Sequence, residues 1–207
     1  MTEITYTTIN HDLCQPVADL VDICFPDMPD IDKYDREDLE IMADRFSEGT
    51  IVALSGETVV GMGTGIFTDI DFDNMPPTEN DLLSVDGKFA HNPDGDYYYG
   101  SDFCVHPEYR GRGIGRGIYD RRKAVAIRHN KVGFAAAAVL PGYADHKLTI
   151  DIHAYLAKVI AGEVFDPTLS MQMRNGFKVV RPIKDFFTYP KSDNWAALIL
   201  WENESHR

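Results

Sequence analysis

A turn rich in glycine and arginine in the middle of the chain, Val105 to Gly117, restricts the fold more than any other feature. A strand pattern from Tyr97 to Val105 precedes it, and a helical pattern from Gly115 to Asn130 follows it. Glycine lets a backbone turn tightly and approach a ligand closely, and the first free N–H groups of a helix bind anions. The sequence therefore predicts a strand, an anion-binding turn and a helix in succession.

Charge separates this turn from the rest of the chain. The whole sequence carries a formal net charge of -13, yet eight of its 20 basic residues fall between Arg110 and Lys131. Such a cationic patch in an acidic protein indicates a phosphate-bearing ligand. Two other nucleotide loops do not fit. A dinucleotide fingerprint belongs after the first strand and has an acidic residue about 20 positions later, and a P-loop needs Gly-Lys-Ser/Thr.

Hydrophobic periodicity divides the remaining chain into strands and helices. A continuous apolar run, Phe134 to Leu140, predicts a strand covered on both faces. The other predicted strands are 4–8, 50–54, 58–67, 177–180 and 195–201, and the other predicted helices are 11–24, 36–46, 152–160 and 168–174. The order is that of a mixed α/β protein.

Composition sets the size of the core. With 207 residues, 44% of them hydrophobic, the chain can bury one core. We interpret 1–207 as a single domain with an acidic insertion at about 68–96, where Asp, Asn, Pro and Glu replace most hydrophobic residues. One short helix is predicted near Leu82 inside the insertion. Loops of this length are often functional, and a solvated loop that only connects its flanking strands fits the sequence equally well.

The sequence also excludes several ligands and locations. It has neither a secretory signal nor an apolar run of about 18 residues, so we expect a cytoplasmic protein with no membrane partner. A pI near 4.8 argues against nucleic acid. The three cysteines and the histidines lack metal-ligand spacing, so no metal site is predicted. The sequence is compatible with a homodimer.

The segment Arg110-Gly111-Arg112-Gly113-Ile114-Gly115, preceded by Val105-x-Pro107, resembles the Arg/Gln-x-x-Gly-x-Gly/Ala pyrophosphate loop of the GNAT N-acetyltransferase superfamily. The resemblance implies that residues Arg110 through Arg116 surround the diphosphate of acetyl-CoA. It also implies the GNAT fold, a mixed sheet of about seven strands splayed at the cofactor site, with helices on both faces. Pantetheine would lie between the parting strands and bond to the backbone of Val105, with Phe103 beside it.

More narrowly, the whole chain resembles the acetyltransferase domain found ahead of a carbon–nitrogen hydrolase in bacterial fusion proteins. The resembling segments are Cys24-Phe25-Pro26, Asp71-Phe72-Asp73, His91 to Asp96, Pro141-Gly142-Tyr143, Tyr155 to Val159, Asp166 to Ser170 and Asn175-Gly176-Phe177. This sequence ends at Arg207 without a hydrolase, so we expect a stand-alone version. Roles that depend on a fusion partner do not transfer to it.

Acyl transfer to an amine needs a positioned thioester, a base for the ammonium proton and a proton route to the departing thiolate. Asp102, three residues before Val105 on the same strand, is the candidate base. Strand alternation could direct it to the wrong face. Tyr99 is then the alternative, because it could relay a proton through water.

The proton donor for the thiolate has no obvious candidate. Many GNAT members place a tyrosine four residues before the Gly-Phe pair that ends the late helix, and here that position is Gln172. Tyr143, in the turn after the strand that should face the cofactor, is the candidate substitute, and Tyr155 is the alternative. Ser170 is a further candidate for cofactor contact.

The predicted function is an N-acetyltransferase that moves the acetyl group from acetyl-CoA to a primary amine by direct attack. A polyamine, an amino sugar or a lysine side chain would fit as acceptor, and the carboxylates of the insertion would attract such a cation. The alternative is a non-catalytic acyl-CoA-binding sensor or regulatory module, which the missing tyrosine favours.

Overall fold

The computed structural model describes residues 3–28, 33–85 and 88–207. The strands in those ranges are β1 (Ile4–Thr8), β2 (Ile51–Ser55), β3 (Thr58–Thr68), β4 (Ser84–Val85), β5 (Lys88–Phe89), β6 (Tyr97–Val105), β7 (Gly133–Val139), β8 (Lys178–Lys184) and β9 (Trp195–Glu202). The helices are α1 (His11–Cys24), α2 (Arg36–Phe46), α3 (Glu79–Leu83), α4 (Ile114–Arg128), α5 (Ile152–Ile160) and α6 (Leu169–Arg174).

Seven of these strands form one mixed sheet in the order β1-β2-β3-β6-β7-β9-β8. Neighbouring strands run antiparallel except β6 and β7, which are parallel and joined by α4 as the crossover helix. The predicted mixed α/β sheet is thereby confirmed. The edge strand β8 continues past its predicted end at Val180 as far as Lys184, with an irregular register between Val179 and Arg181. Its position at the edge of the sheet is one where a strand tolerates a proline such as Pro182.

Local capping determines where the first two helices begin. Asn10 caps α1 by accepting the Leu13 amide, and Asp35 caps α2 in a reciprocal capping box with Asp38. Both helices have the bounds that apolar periodicity predicted. Within the described ranges the longest helix is α4, with 15 residues, and no helix combines the length and apolarity needed to span a membrane.

Different helices cover the two faces of the sheet. Ile51 and Ala53 of β2 pack in the cluster that contains residues of α4, α5 and α6, whereas Val52 between them packs with α1 and α2. This alternation is that of a strand buried on both sides. The insertion covers part of the sheet elsewhere, where Leu82 of α3 packs with Tyr99 of β6.

The strands β6 and β7 part halfway along their length. They pair only over 97–100 and 133–136. Beyond those residues β6 follows β3 as far as Val105, and β7 follows β9 as far as Val139. A gap between the two strands therefore opens toward the turn that precedes α4, as the resemblance predicted.

Candidate active site

The turn before α4 has the backbone geometry of an anion site. Gly111 and Gly113 have φ angles of 76° and 79°, which other residues rarely adopt, and beyond the neighbouring residues no atom lies within 4 Å of a Cβ built on either. Gly113 caps α4 without a side-chain hydrogen bond, and no described residue accepts a hydrogen bond from the amides of 113–116. These amides, at the positive end of a 15-residue helix, can bind a diphosphate.

Exposed arginine side chains surround this turn. The Arg110 Nε donates to the Val105 carbonyl at 3.0 Å, and the Arg112 Nη2 donates to the Glu108 carbonyl at 2.9 Å. Arg116 projects into solvent with 80% of its side chain exposed. The carbonyls of the turn thus fix two of the guanidinium groups beside the free amides, and this adds positive charge where the ligand phosphates are expected.

The backbone of Val105 and Phe103 borders the gap between β6 and β7. The amide of His106 donates to the Val60 carbonyl in β3. Because alternate residues of a strand turn their peptide groups to opposite sides, Phe103 and Val105 direct theirs away from β3. The resemblance assigns the backbone of Val105 to pantetheine, and here the Val105 carbonyl accepts a hydrogen bond from the Arg110 guanidinium. Its amide faces the gap.

Aromatic rings form the floor beneath the turn. The Phe103 ring lies 4.8 Å from the Tyr119 ring, and a Cβ at Gly115 would stand 3.1 Å from Phe103, so a larger residue at 115 would require this ring to shift. The Tyr119 hydroxyl accepts a hydrogen bond from Nε2 of Gln172 at 3.1 Å. Among the buried side-chain nitrogen and oxygen atoms of the described residues, only Oε1 of Gln172 has no hydrogen-bond partner. The position of the missing tyrosine thus holds a buried amide.

Two carboxyl groups and two tyrosines lie near the point where β6 leaves β7. Glu79, the first residue of α3, accepts a hydrogen bond from the Tyr99 hydroxyl at 2.6 Å. The Tyr34 hydroxyl lies 3.2 Å from the Ser101 hydroxyl. Asp102 follows on β6, and its negative charge raises the pKa of both Tyr34 and Glu79. The insertion therefore contributes a carboxylate to the surroundings of the predicted base.

Burial brings the pKa of each carboxyl group close to neutrality. It raises the pKa of Asp102 from 3.8 to about 6, against the opposing charge of Arg122. Burial also raises the pKa of Glu79 from 4.5 to about 7, with the Tyr99 hydrogen bond opposing the rise and the Asp102 charge adding to it. Within the described chain neither group forms a salt bridge. Both can exchange protons near pH 7.

A buried cation lies beneath this cluster. Arg122 of α4 is 1% exposed, its Nε donates to the Tyr98 hydroxyl at 3.1 Å, and its Nη2 donates to the Thr64 carbonyl. A Cβ at Gly100 would overlap the guanidinium, so β6 needs glycine there. Arg122 thus ties α4 to the part of the sheet where β6 and β7 separate, and its charge favours the ionised form of Asp102.

The hydroxyl candidates after β7 take part in local structure. Tyr143 donates to a backbone carbonyl at 3.2 Å, and Tyr155 donates to the buried Asp166 at 2.7 Å. Ser170 accepts the Asp166 amide at 3.0 Å, beside the start of α6. The hydrogen bonds of the described residues bring none of the three hydroxyls into contact with Asp102.

Glu79 and Tyr34 are not indicated by any pattern in the sequence. Glu79 is separated from Tyr99 by 20 positions, and Tyr34 from Ser101 by 67. No local spacing connects either pair. The only signal was the acidic composition of the insertion, which indicates many carboxylates without distinguishing the one that packs against β6.

Comparison with known proteins gives concordant results. The profile of the family described as "Acetyltransferase (GNAT) family" matches residues 15–148. "Probable hydrolase YhcX" of Bacillus subtilis (strain 168) is 30% identical over 188 residues, which cover 90% of this chain and 36% of that protein. "Uncharacterized N-acetyltransferase YkwB" of the same strain is 24% identical over 181 residues, which cover 87% of this chain and 80% of that protein. The chain thus spans about a third of YhcX and most of YkwB.

One solved structure shows how far the fold itself is shared. The "GphF GNAT-like decarboxylase in complex with isobutyryl-CoA" superposes with a TM-score of 0.74 at 15% sequence identity. The superposition covers 96% of this chain and 98% of that one. At this identity the likeness concerns the fold.

Proposed function

This chain belongs to the acetyltransferase (GNAT) family, and from that premise we propose that it transfers the acetyl group of acetyl-CoA to a primary amine by direct attack. The observation that carries the proposal is the continuity of three features. An anion-binding turn stands at one end of the gap between β6 and β7, backbone amides line the gap, and ionisable carboxyl groups stand where the strands separate. The diphosphate would bind at the turn, pantetheine would lie in the gap, and the amine would bind beside the carboxyl groups.

Each group of residues has a defined role in this proposal. The amides of 113–116 and the guanidinium groups of Arg110, Arg112 and Arg116 bind the diphosphate. Asp102 is ionised above its pKa of about 6, so it can pair with the incoming ammonium and accept its proton. The amine then attacks the thioester carbonyl. We assign no direct part to Tyr143 or Ser170, because their hydroxyls are engaged in local hydrogen bonds.

The acceptor is a small cationic amine or a lysine side chain. The insertion supports this choice, since its Glu79 is hydrogen-bonded to Tyr99 near the point where β6 leaves β7, and the charge of Asp102 raises the pKa of Glu79. Exposed carboxylates elsewhere in the insertion, including Asp71 and Asp73, raise the local concentration of a cation. The name of YkwB, an N-acetyltransferase, agrees with an amine as the acceptor.

The test measures thiol release from acetyl-CoA with a panel of polyamines, amino sugars and lysine peptides. Wild type should release thiol at a rate that rises with the concentration of at least one of these amines. Asp102→Asn should lower kcat by about 100-fold, because one proton acceptor is lost. Calorimetric affinity for CoA should remain unchanged in the variant. Release that does not depend on any amine would contradict the proposal.

A second candidate is an acyl-CoA-binding module without turnover. The observation that favours it is Gln172, a buried amide where the resembling family has an ionisable tyrosine. CoA binding without release of thiol from any donor would support this candidate. The same assay should include a carboxylated acyl-CoA without amine, because the similar GphF structure is that of a decarboxylase.

A further inference from the structure

The residues assigned so far leave one proton unaccounted for. An ammonium loses two protons as it becomes an amide nitrogen, one before the attack and one as the C–N bond forms. The departing thiolate gains one. Gln172 occupies the position where the resemblance places a tyrosine for that purpose, and a side-chain amide has no readily ionised proton to give.

Glu79 is anchored beside Tyr99, one residue before the pairing of β6 with β7 ends. Its Oε1 accepts the Tyr99 hydroxyl at 2.6 Å, and its amide donates to the Phe186 carbonyl at 2.8 Å. A reciprocal capping box between Thr78 and Asp81 fixes the start of α3. The side chain of Glu79 is partly exposed, and no described residue donates a hydrogen bond to its second carboxyl oxygen. One oxygen is anchored and the other is available.

We propose that Glu79 carries the second proton from the nitrogen to the sulfur, an inference that rests on the proposed function. Asp102 takes the first proton, and the nitrogen lone pair forms the C–N bond at the thioester carbon. Glu79 takes the next proton from the nitrogen. The C–S bond breaks with its electron pair on sulfur, and Glu79 returns that proton to the thiolate. In the net reaction, the ammonium and the thioester become an amide, a thiol and one proton. Asp102 releases that proton to solvent.

The groups that face Glu79 suit it to this exchange. Burial raises its pKa to about 7, while Tyr99 stabilises its ionised form and the Asp102 charge disfavours it. Burial also raises the pKa of Tyr34, which faces the same space from before α2, and that of Tyr99, so both hydroxyls stay protonated. Asp102, beside the charge of Arg122, ionises at lower pH than Glu79. Tyr99 is buried and is a positioning residue for Glu79.

The first test compares Glu79→Gln with Glu57→Gln, a change of an exposed carboxylate in the turn between β2 and β3, outside the insertion. With an amine that wild type acetylates, Glu79→Gln should lower kcat by about 100-fold and leave CoA affinity, measured by calorimetry, unchanged. Glu57→Gln should keep the wild-type kcat. Formate, a small carboxylate, should restore part of the rate of Glu79→Ala. Glu79→Asp should retain more activity than Glu79→Gln.

The second test follows kcat against pH in Tyr99→Phe. In wild type we expect kcat to rise with pH between about 6 and 7, where the coupled Asp102 and Glu79 pair titrates. Loss of the Tyr99 hydroxyl removes a hydrogen bond that lowers the pKa of Glu79, so the rise should move to higher pH. A residue with only a structural role would lower the rate without moving the rise.

The outcomes separate this inference from the proposed function. Any of four results would contradict proton transfer by Glu79 without contradicting amine acetylation. They are a wild-type kcat in Glu79→Gln, a loss of CoA affinity in that variant, no rescue of Glu79→Ala by formate, and a pH dependence of kcat in Tyr99→Phe equal to that of wild type. Wild type that turns over no amine would overturn both. Circular dichroism of each variant establishes that the fold is retained.

Discussion

Single side chains at the turn should decide how tightly the cofactor binds. Arg110 and Arg112 are exposed, and backbone carbonyls hold their guanidinium groups beside the free amides of α4. Each should form a charge-assisted contact with the diphosphate, worth roughly 1.5 kcal/mol. The double variant Arg110→Ala/Arg112→Ala should therefore weaken CoA binding by about 100-fold, measured by calorimetry. The loss should shrink at high salt.

Arg128 provides the control for this double variant. It lies on the same helix but in its last turn, where it pairs with Glu48 at 2.7 Å. Arg128→Ala changes the net charge by one without touching the turn, so CoA affinity should stay close to that of wild type. An equal loss in both variants would mean that overall charge, and not the turn, controls binding.

The residue scale also shows what the sequence could reveal about the site. The turn could be predicted because its glycines and arginines are contiguous and their chemistry is local. Glu79 and Tyr34 could not, because each reaches its partner on β6 through a tertiary contact. The neutral-range pKa of Asp102 likewise depends on burial, which the sequence does not specify.

At the scale of elements, the backbone of the turn contributes separately from its charges. Gly113→Ala should destabilise the protein by about 1 kcal/mol, because a residue with a Cβ is strained at a φ of 79°. It should also weaken CoA binding at least tenfold, because Gly113 caps α4 and the added methyl group stands beside amides that hold the diphosphate. Urea unfolding and calorimetry measure the two effects.

Gly162 isolates the strain from the binding effect. It has a φ of 75°, and a Cβ built on it also meets no atom within 4 Å, but it follows α5 and lies outside the turn. Gly162→Ala should lose a similar free energy of unfolding and keep its CoA affinity. If both variants lost the same affinity, reduced stability alone would explain the result.

The elements themselves were largely predictable. The bounds of α1 and α2 follow from apolar periodicity bounded by an Asn or Asp cap, and β7 from an uninterrupted apolar run. The separation of β6 from β7 was expected only through family resemblance, since it depends on which neighbour each strand follows. Strand pairing is a long-range property, and periodicity within one strand does not determine it.

At the scale of the whole molecule, the proposed function assigns the two substrates to regions of opposite charge. The chain carries a net charge of -13, yet Arg110, Arg112 and Arg116 lie at the start of α4, while Glu79 of the insertion lies near the point where β6 leaves β7. A cofactor with phosphate groups and a cationic amine would thus be attracted to opposite ends of one gap. This arrangement favours a ternary complex, in which neither substrate competes for the site of the other.

The same carboxyl groups should make the stability of the molecule depend on pH. Burial raises the folded-state pKa of Asp102 to about 6 and that of Glu79 to about 7, above their ordinary values of 3.8 and 4.5. The folded protein therefore binds these protons more tightly than the unfolded chain. Their contribution to the free energy of unfolding is complete below about pH 4 and is lost as the pH rises through 6 and 7.

Replacing both groups by amides should remove this penalty. At pH 8 the variant Glu79→Gln/Asp102→Asn should be more stable than wild type by about 1–3 kcal/mol, because wild type must then hold two ionised carboxylates in a partly buried site. At pH 5 the difference should be less than half as large, because both groups are then mostly protonated in the folded protein. Urea unfolding at both pH values measures it, and a stability difference that does not change with pH would contradict the raised pKa values. A gain at pH 8 together with lost turnover would show that the site retains its carboxylates for chemistry at the expense of stability.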